Sequence, residues 1–381
     1  MLAHAGEIGI KSKTTRRFMI KRLYKNISIK FPNFDLHYKN IANRTIIYTN
    51  QPVFLAQKIA DIIFGVSHTA PIFIFKWTSY EHLLDSFTGF ASQFISPSKS
   101  FGFEARSSGK NRPHTQELKV ELGSKLYEAF NGSLTVNLTD PDFLFVVEVR
   151  DEFAWIYHER IQGLDGFPQG SQKGIIFGSI RFWLNDYSAT FLTMKRGVNV
   201  HPIRFITQRI PESAEETWHE SFLNNFSFKK CLDIPIYDLL QSWQPVYGDN
   251  LCTACVYFTE NLLTIACKLR DVVGFVSGLK IASLQGDITN DSLKWLESQN
   301  IVFKIRPNLI ATHEISQLNK IFDNFPSKPS CCPFQSKRFI KSTLSSDEAK
   351  IIDEKVHEFV DKFFIPNYPD NNSMNDKLSE K

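Results

Sequence analysis

The sequence predicts a multidomain protein of α/β and α+β class: a ferredoxin-like βαββαβ module, a second mixed unit, and a doubly wound parallel sheet. Three observations predict this. Residues 1–76 alternate strand-like and helical stretches in the order βαββαβ, residues 77–165 carry a different mixture of helices and strands, and residues 166–345 alternate short apolar runs with helical stretches. A chain of 381 residues is long enough for this division.

In the first module, Leu2–Ile10 reads as a strand, and Ser12 as the N-cap of a helix from about Thr14 to Ile29 with apolar Phe18, Ile20, Leu23 and Ile27. Phe34–Lys39 and Thr45–Thr49 are strand-like, Gln51–Phe64 is helical, and Pro71–Phe75 is an apolar strand. One antiparallel sheet with two helices on one face accommodates that order, and a ferredoxin-like module is the simplest solution. The second unit has helices at Tyr80–Phe94 and Thr115–Ala129 and strands at Ser100–Ala105, Ser133–Leu138, Phe143–Val149 and Phe153–His158. Gly163–Gly174 is glycine-rich and polar and reads as a linker. The third unit has strands at Ile175–Phe177, Val200–Phe205, Ile234–Tyr237 and Val272–Val276, with helices at Tyr187–Lys195, Glu212–Asn225 and Asn261–Leu269. This alternation predicts a parallel, doubly wound sheet. Residues 346–381 form a C-terminal helix, Asp347–Phe364, and a polar tail expected to be disordered.

Composition narrows the class. The chain is 43% hydrophobic and 22% charged, and no apolar run reaches the roughly 18 residues of a membrane helix. Met1–Lys13 has no apolar core and no cleavage site, so a cytoplasmic protein without a membrane partner is expected. Residues 1–50 hold ten Lys or Arg against Glu7 and Asp35, a net +8 on a chain whose total is +4. A basic first module on a near-neutral body points to a polyanion, nucleic acid first, and otherwise to a solvated lysine-rich face.

Two loops concentrate that charge. Gly6–Lys13 with Arg16 and Arg17 stands at a strand-to-helix junction, where Lys11, Lys13, Arg16 and Arg17 crowd a helix N-terminus that favours anions. Arg106–Thr115 places Arg106, Lys110 and Arg112 in a glycine-containing loop between strand and helix, suited to an RNA backbone. Cys252-Thr253-Ala254-Cys255 is a C-x-x-C, with Cys331-Cys332 further on. Such thiols suit a metal or iron–sulfur centre, zinc included, a dithiol redox pair, or two buried core residues. Cys267, inside an apolar helix, reads as core.

These segments resemble a family. GEIGIKSKTTRRF, the RSSGKNRPHT loop, VNLTDPDFLFVVEVRDEFAWIYHERIQGLDGFPQG, MKRG at Met194–Gly197, the C-x-x-C, IRPNLIATHEI and SCCPF are similar, in order, to the tRNA 4-thiouridine sulfurtransferases, ThiI. The resemblance implies a ferredoxin-like domain at 1–76, a THUMP domain at 77–165 and a PP-loop domain of the adenine nucleotide α-hydrolase type at 166–345. It implies tRNA as partner, adenylation of a uridine carbonyl oxygen by ATP with Mg, and replacement of that oxygen by sulfur. The resemblance is to archaeal-type members, expected to lack the rhodanese domain of many bacterial ones and to carry an iron–sulfur cluster on a C-x-x-C and a later cysteine, as are found here. The resemblance thus implies Cys252 and Cys255 as catalytic and cluster ligands, with Cys332 or Cys331 as the third. The sulfur donor is left unspecified, and a homodimer is compatible with the sequence.

The chain departs from the family where nucleotide binds. The SGGxDS stretch is replaced by Gly178–Ser188, with Phe182 and Trp183 near the place of the paired glycines. Gly178, Ser179 and Asp186 are a displaced remnant, and the TGE-like motif survives as Ser277-Gly278-Leu279 without its acid. Bulky side chains obstruct the backbone approach that phosphates need, so a weak or absent ATP site is expected. Three readings follow: a tRNA-thiolating enzyme with sulfur carried on a cluster, a non-catalytic tRNA-binding homologue, or a sulfur carrier or redox protein in which the C-x-x-C acts as a dithiol.

Overall fold

The computed structural model describes residues 1–41, 44–96, 99–109, 113–180, 184–207, 214–267, 272–277, 304–305 and 344–367. Two compact units emerge: Met1–Lys11 with Ile27–Asp165, and Ser12–Asn26 with the described residues from Gly166 onward.

The elements of the first half are β1 (Leu2–His4), α1 (Gly6–Gly9), α2 (Lys13–Lys30), β2 (His37–Ile41), β3 (Arg44–Tyr48), α3 (Pro52–Ile62), β4 (Val66–Thr69), β5 (Phe73–Lys76), α4 (Tyr80–Ala91), β6 (Ser100–Ser108), α5 (Thr115–Ala129), β7 (Thr135–Val136), β8 (Phe143–Arg150), β9 (Phe153–Tyr157) and β10 (Ile161–Gln162). Strands β4, β1, β3 and β2 lie in that order, antiparallel, which is the ferredoxin-like arrangement. Two sequence expectations are corrected here. The strand at Leu2 ends at His4 and turns into α1, and the last strand of the module is Val66–Thr69, not Pro71–Phe75. Phe73–Lys76 pairs instead with β9 of the second sheet. Apolarity misled because β4 carries Ser67 and His68 between its buried ends, Val66 and Thr69; the Thr69 hydroxyl is satisfied by the Ala56 carbonyl at 2.8 Å.

The second sheet runs β5-β9-β8-β6-β7. One face buries Phe145, Val147, Val149, Ala154 and Ile156 against Leu83, Leu84 and Phe87 of α4 and Leu118, Leu122 and Leu126 of α5. The other face presents Val146, Trp155 and Tyr157 to Met1, Ile46 and Ala70 of the first module. Strand alternation therefore gives each face its own core. After β9 the chain returns to the first sheet, where β10 pairs with β4. Gly163 makes this possible, since a Cβ there would stand 2.3 Å from the Val66 carbonyl oxygen.

The second unit contains β11 (Ile175–Ile180), α6 (Leu184–Lys195), β12 (Asn199–Ile206), α7 (Ala214–Phe226), β13 (Leu232–Pro235), α8 (Tyr237–Tyr247), α9 (Leu251–Ala266), β14 (Val272–Val276), β15 (Lys304–Ile305) and α10 (Ser346–Phe359). All five strands are parallel in the order β13-β12-β11-β14-β15. This is a doubly wound sheet whose order reverses at β11. One face buries Phe177, Ile203, Phe205 and Ile234 against α8, α9 and α10; Ile176 and Val276 face Ala189 of α6 on the other. Helix α10 begins with a capping box between Ser345 and Glu348. The chain continues through a π turn to Phe364, whose ring meets Phe177 at 5.4 Å. Within this unit, Asn26 of α2 donates to the Gln169 carbonyl at 2.9 Å.

Candidate functional site

The basic N-terminal segment is built on a capped helix. The Ser12 Oγ accepts from the Thr15 N–H at 3.3 Å and the Arg16 N–H bonds the Ser12 carbonyl at 2.8 Å, so α2 starts where the sequence placed it. Its first turn has no acid. Lys13 and Arg17 are exposed; Lys11 and Arg16 are half-buried. Arg106 lies on β6, half-exposed, 3.9 Å from Glu104. Lys110 and Arg112 lie outside the described residues.

The C-x-x-C lies on α9. The sequence started this helix at Asn261, but it begins at Leu251, which puts Cys252 and Cys255 one turn apart in its opening turns. Helix α8, unforeseen because the strand was drawn out to Tyr237 and Pro245 stands inside the helix, leads into it through a short 3-10 turn. Both thiols are half-buried, and Cys255 packs at the margin of the core. The other described cysteines differ. Burial pushes the Cys267 thiol up to about 12, and burial together with the Asp233 charge raises Cys231 as well. Cys331 and Cys332 lie outside the described residues, and no cluster of three His, Cys, Asp or Glu fit for a metal occurs among the described residues. Cys252 and Cys255 fit two corners of a thiolate-held centre, because an i, i+3 pair projects from one helix face and the positive end of the helix complements an anionic cluster.

The nucleotide remnant is distributed differently from its sequence reading. Gly178 and Ser179 belong to strand β11, in register with Pro202 and Ile203 of β12. They stand inside the ladder and form no loop cradle. Gly178 has a packing reason: a Cβ there would approach Val200 Cγ1 at 2.8 Å and Thr190 Oγ1 at 3.0 Å. Ser179 is buried with its hydroxyl unpartnered among the described residues. Asp186 is buried in the first turn of α6. Gly278 and residues 181–183 lie outside the described residues. The topology itself suits a nucleotide, since ligands of doubly wound sheets sit beyond the strand C-termini where the order reverses.

Sequence reasoning missed a polar cluster on the α6–α7 side of this sheet. Arg204 of β12 grips Asp233 of β13 bidentately, its Nε donating at 2.8 Å. The Tyr187 hydroxyl lies 2.7 Å from His219 Nδ1. Burial, reinforced by Arg204, brings the His219 pKa down to about 3, so the imidazole is neutral and its tautomer sets which partner donates in this hydrogen bond. No spacing motif marks these four residues; only strand register and helix packing assemble them.

Residues 1–70 match the ThiI ferredoxin-like domain family and residues 88–159 match the THUMP domain family. The chain is 28% identical over 209 residues to a probable tRNA sulfurtransferase of Methanosarcina acetivorans, covering 53% of this chain and 50% of that protein. It spans about half the length of that relative. It is 24% identical over 389 residues to a probable tRNA sulfurtransferase of Methanocaldococcus jannaschii, covering 93% of this chain and 97% of that one. The fold superposes on a 4-thiouridine synthetase solved with RNA and ATP, with TM-score 0.71, 20% identity and 94% of each chain covered. These matches define a THUMP-domain protein that also carries a doubly wound α/β unit. Within that class the similarity is to proteins of the ThiI type, through the ferredoxin-like region and the tRNA sulfurtransferase relatives. Among its described residues no helix is long and apolar enough to cross a membrane.

Proposed function

We propose that this chain is a tRNA sulfurtransferase that forms 4-thiouridine. The observation that carries the reading is a similarity to the probable tRNA sulfurtransferase of Methanocaldococcus jannaschii that extends over 93% of the chain, through the doubly wound unit as well as the ThiI ferredoxin-like and THUMP regions. A homologue kept only for binding is therefore not favoured. The basic first helix and the Arg106 strand supply cations for tRNA phosphates, with Lys11, Lys13, Arg16, Arg17, Arg106, Lys110 and Arg112 in that role.

In the chemistry this implies, ATP transfers its adenylyl group to the uridine C4 oxygen and pyrophosphate leaves. Sulfur at the sulfide level then attacks C4, the C4–O bond breaks, AMP departs with the oxygen, and loss of the sulfur-bound proton leaves the thiocarbonyl. The start of α6, with Asp186 in its first turn, is the place for the nucleotide phosphates and their magnesium. Cys252, Cys255 and one of Cys331 or Cys332 would hold an iron–sulfur cluster, which when bound would supply the site for the sulfur to be transferred. Helix α9 leads within a few residues into β14, and a helix before a parallel strand returns from that strand's C-terminal end; this orientation supports a cysteine pair near the nucleotide end of the sheet.

The test is reconstitution. Anaerobically purified protein, tRNA, ATP with magnesium and sulfide should yield 4-thiouridine, read by mass spectrometry of digested tRNA. No product from protein that binds tRNA would return the chain to the non-catalytic reading.

A further inference from the structure

Helix α2 carries seven Lys or Arg between Lys13 and Lys30 and no Asp or Glu. Its buried side is Met19, Leu23, Asn26 and Ile27, anchored through Asn26. On the outer side Lys13, Arg17, Lys21 and Lys25 succeed one another four residues apart, all exposed, and none has an ion-pair partner among the described residues. Among them Phe18 leaves 49% of its surface in water. Like charges at i, i+4 destabilise a helix, and cations in its first turn oppose its dipole. A solvated face would gain from interspersed acids, as i, i+4 pairs of opposite sign do. An external polyanion would supply the missing negative charge along the length of the helix, about 27 Å at 1.5 Å per residue.

Resting on the reading of tRNA as partner, we propose that the exposed edge of α2 follows one RNA strand, with Lys13, Arg17, Lys21 and Lys25 each taking a phosphate and Phe18 stacking on an unpaired base. Lys21, Lys25 and Phe18 thereby join the contact surface, while Arg16, turned half inward, contributes less than its sequence position suggests. The choice of RNA over an acidic protein segment rests on the exposed ring: phosphates and a stacked base together use both the regular cation spacing and Phe18. The surface reads backbone and stacking, so it is tolerant of duplex sequence.

The experiment is fluorescence-detected binding of a tRNA transcript to the full chain over a potassium chloride series, with circular dichroism to confirm that each variant is folded. Lys21→Ala/Lys25→Ala should reduce the slope of log affinity against log salt by about 1.5, since each phosphate contact contributes about 0.7 to 0.9. Phe18→Ala should weaken binding about tenfold at every salt concentration and leave the slope alone, and Phe18→Trp should restore it. An unchanged slope in the folded double variant, with the parent binding tRNA, would overturn the proposal and leave the reading of tRNA as partner intact. A parent that does not bind tRNA would overturn that reading itself.

Discussion

Glu148 of β8 accepts Arg44 of β3, so one fully buried carboxylate joins the ferredoxin-like sheet to the THUMP sheet. The same carboxylate takes Arg150 at 3.3 Å and the Tyr157 hydroxyl at 3.2 Å. Burial alone would raise its pKa, but the hydrogen bond and charge of Arg44, the charge of Arg150 and the tyrosine hydroxyl outweigh burial and hold it below the ordinary value. A carboxylate depressed on folding stabilises the native state above its unfolded pKa, and that contribution fades as pH falls through the folded value. Glu148→Gln should therefore cost about 3 kcal/mol in urea unfolding at neutral pH, the range for stranding one partner of a buried pair. It should also flatten the loss of stability below about pH 4.

Gly178 tests whether this stretch of β11 is a packing strand or a phosphate loop. Its neighbours Val200 and Thr190, both met by a Cβ added at Gly178, are fully buried. Gly178→Ala should cost about 1 to 3 kcal/mol, as overpacking does, and lower the melting temperature. Gly6→Ala, where nothing lies within 4 Å of the added carbon, should be nearly neutral. Equal, negligible effects would remove the packing account.

The Tyr187–His219 pair gives a pH signature. Burial lowers His219 to about 3 and His201 to about 4, so between those values and the usual histidine pKa the unfolded chain binds more protons than the folded one. Stability should therefore rise with pH from about 3 to about 6.5 and level off above. His219→Phe should shallow that rise by one proton's worth and cost about 1 to 3 kcal/mol at pH 7 by removing the buried hydrogen bond to Tyr187. Adding Tyr187→Phe should recover part of the loss, and a double-mutant cycle measures the coupling.

The cysteines separate by colour. Protein purified without oxygen should show the broad visible absorption of an iron–sulfur centre, and Cys252→Ala or Cys255→Ala should abolish it. Cys267→Ala should not, because its thiol is pushed up to about 12 by burial and stays protonated in the core. Colourless protein with stoichiometric zinc would replace the cluster with a structural metal.

The sequence by itself determined the local features. It placed the Ser12 cap, the basic start of α2, most helices and strands of the THUMP unit, and the βα alternation that becomes a doubly wound sheet, because caps, apolar periodicity and charge act over a few residues. It also displayed Cys252 and Cys255 as a pair, since their spacing is the signal. Only the tertiary structure decided where Phe73–Lys76 pairs, since an apolar run fits either sheet and the outcome depends on β9, some 80 residues away. It alone assigned Gly178 to packing, through Val200 and Thr190, and it alone brought Arg44 to Glu148 and Tyr187 to His219. These pairings join residues 32 to 104 positions apart, and their strength comes from burial, which no local pattern of side chains specifies.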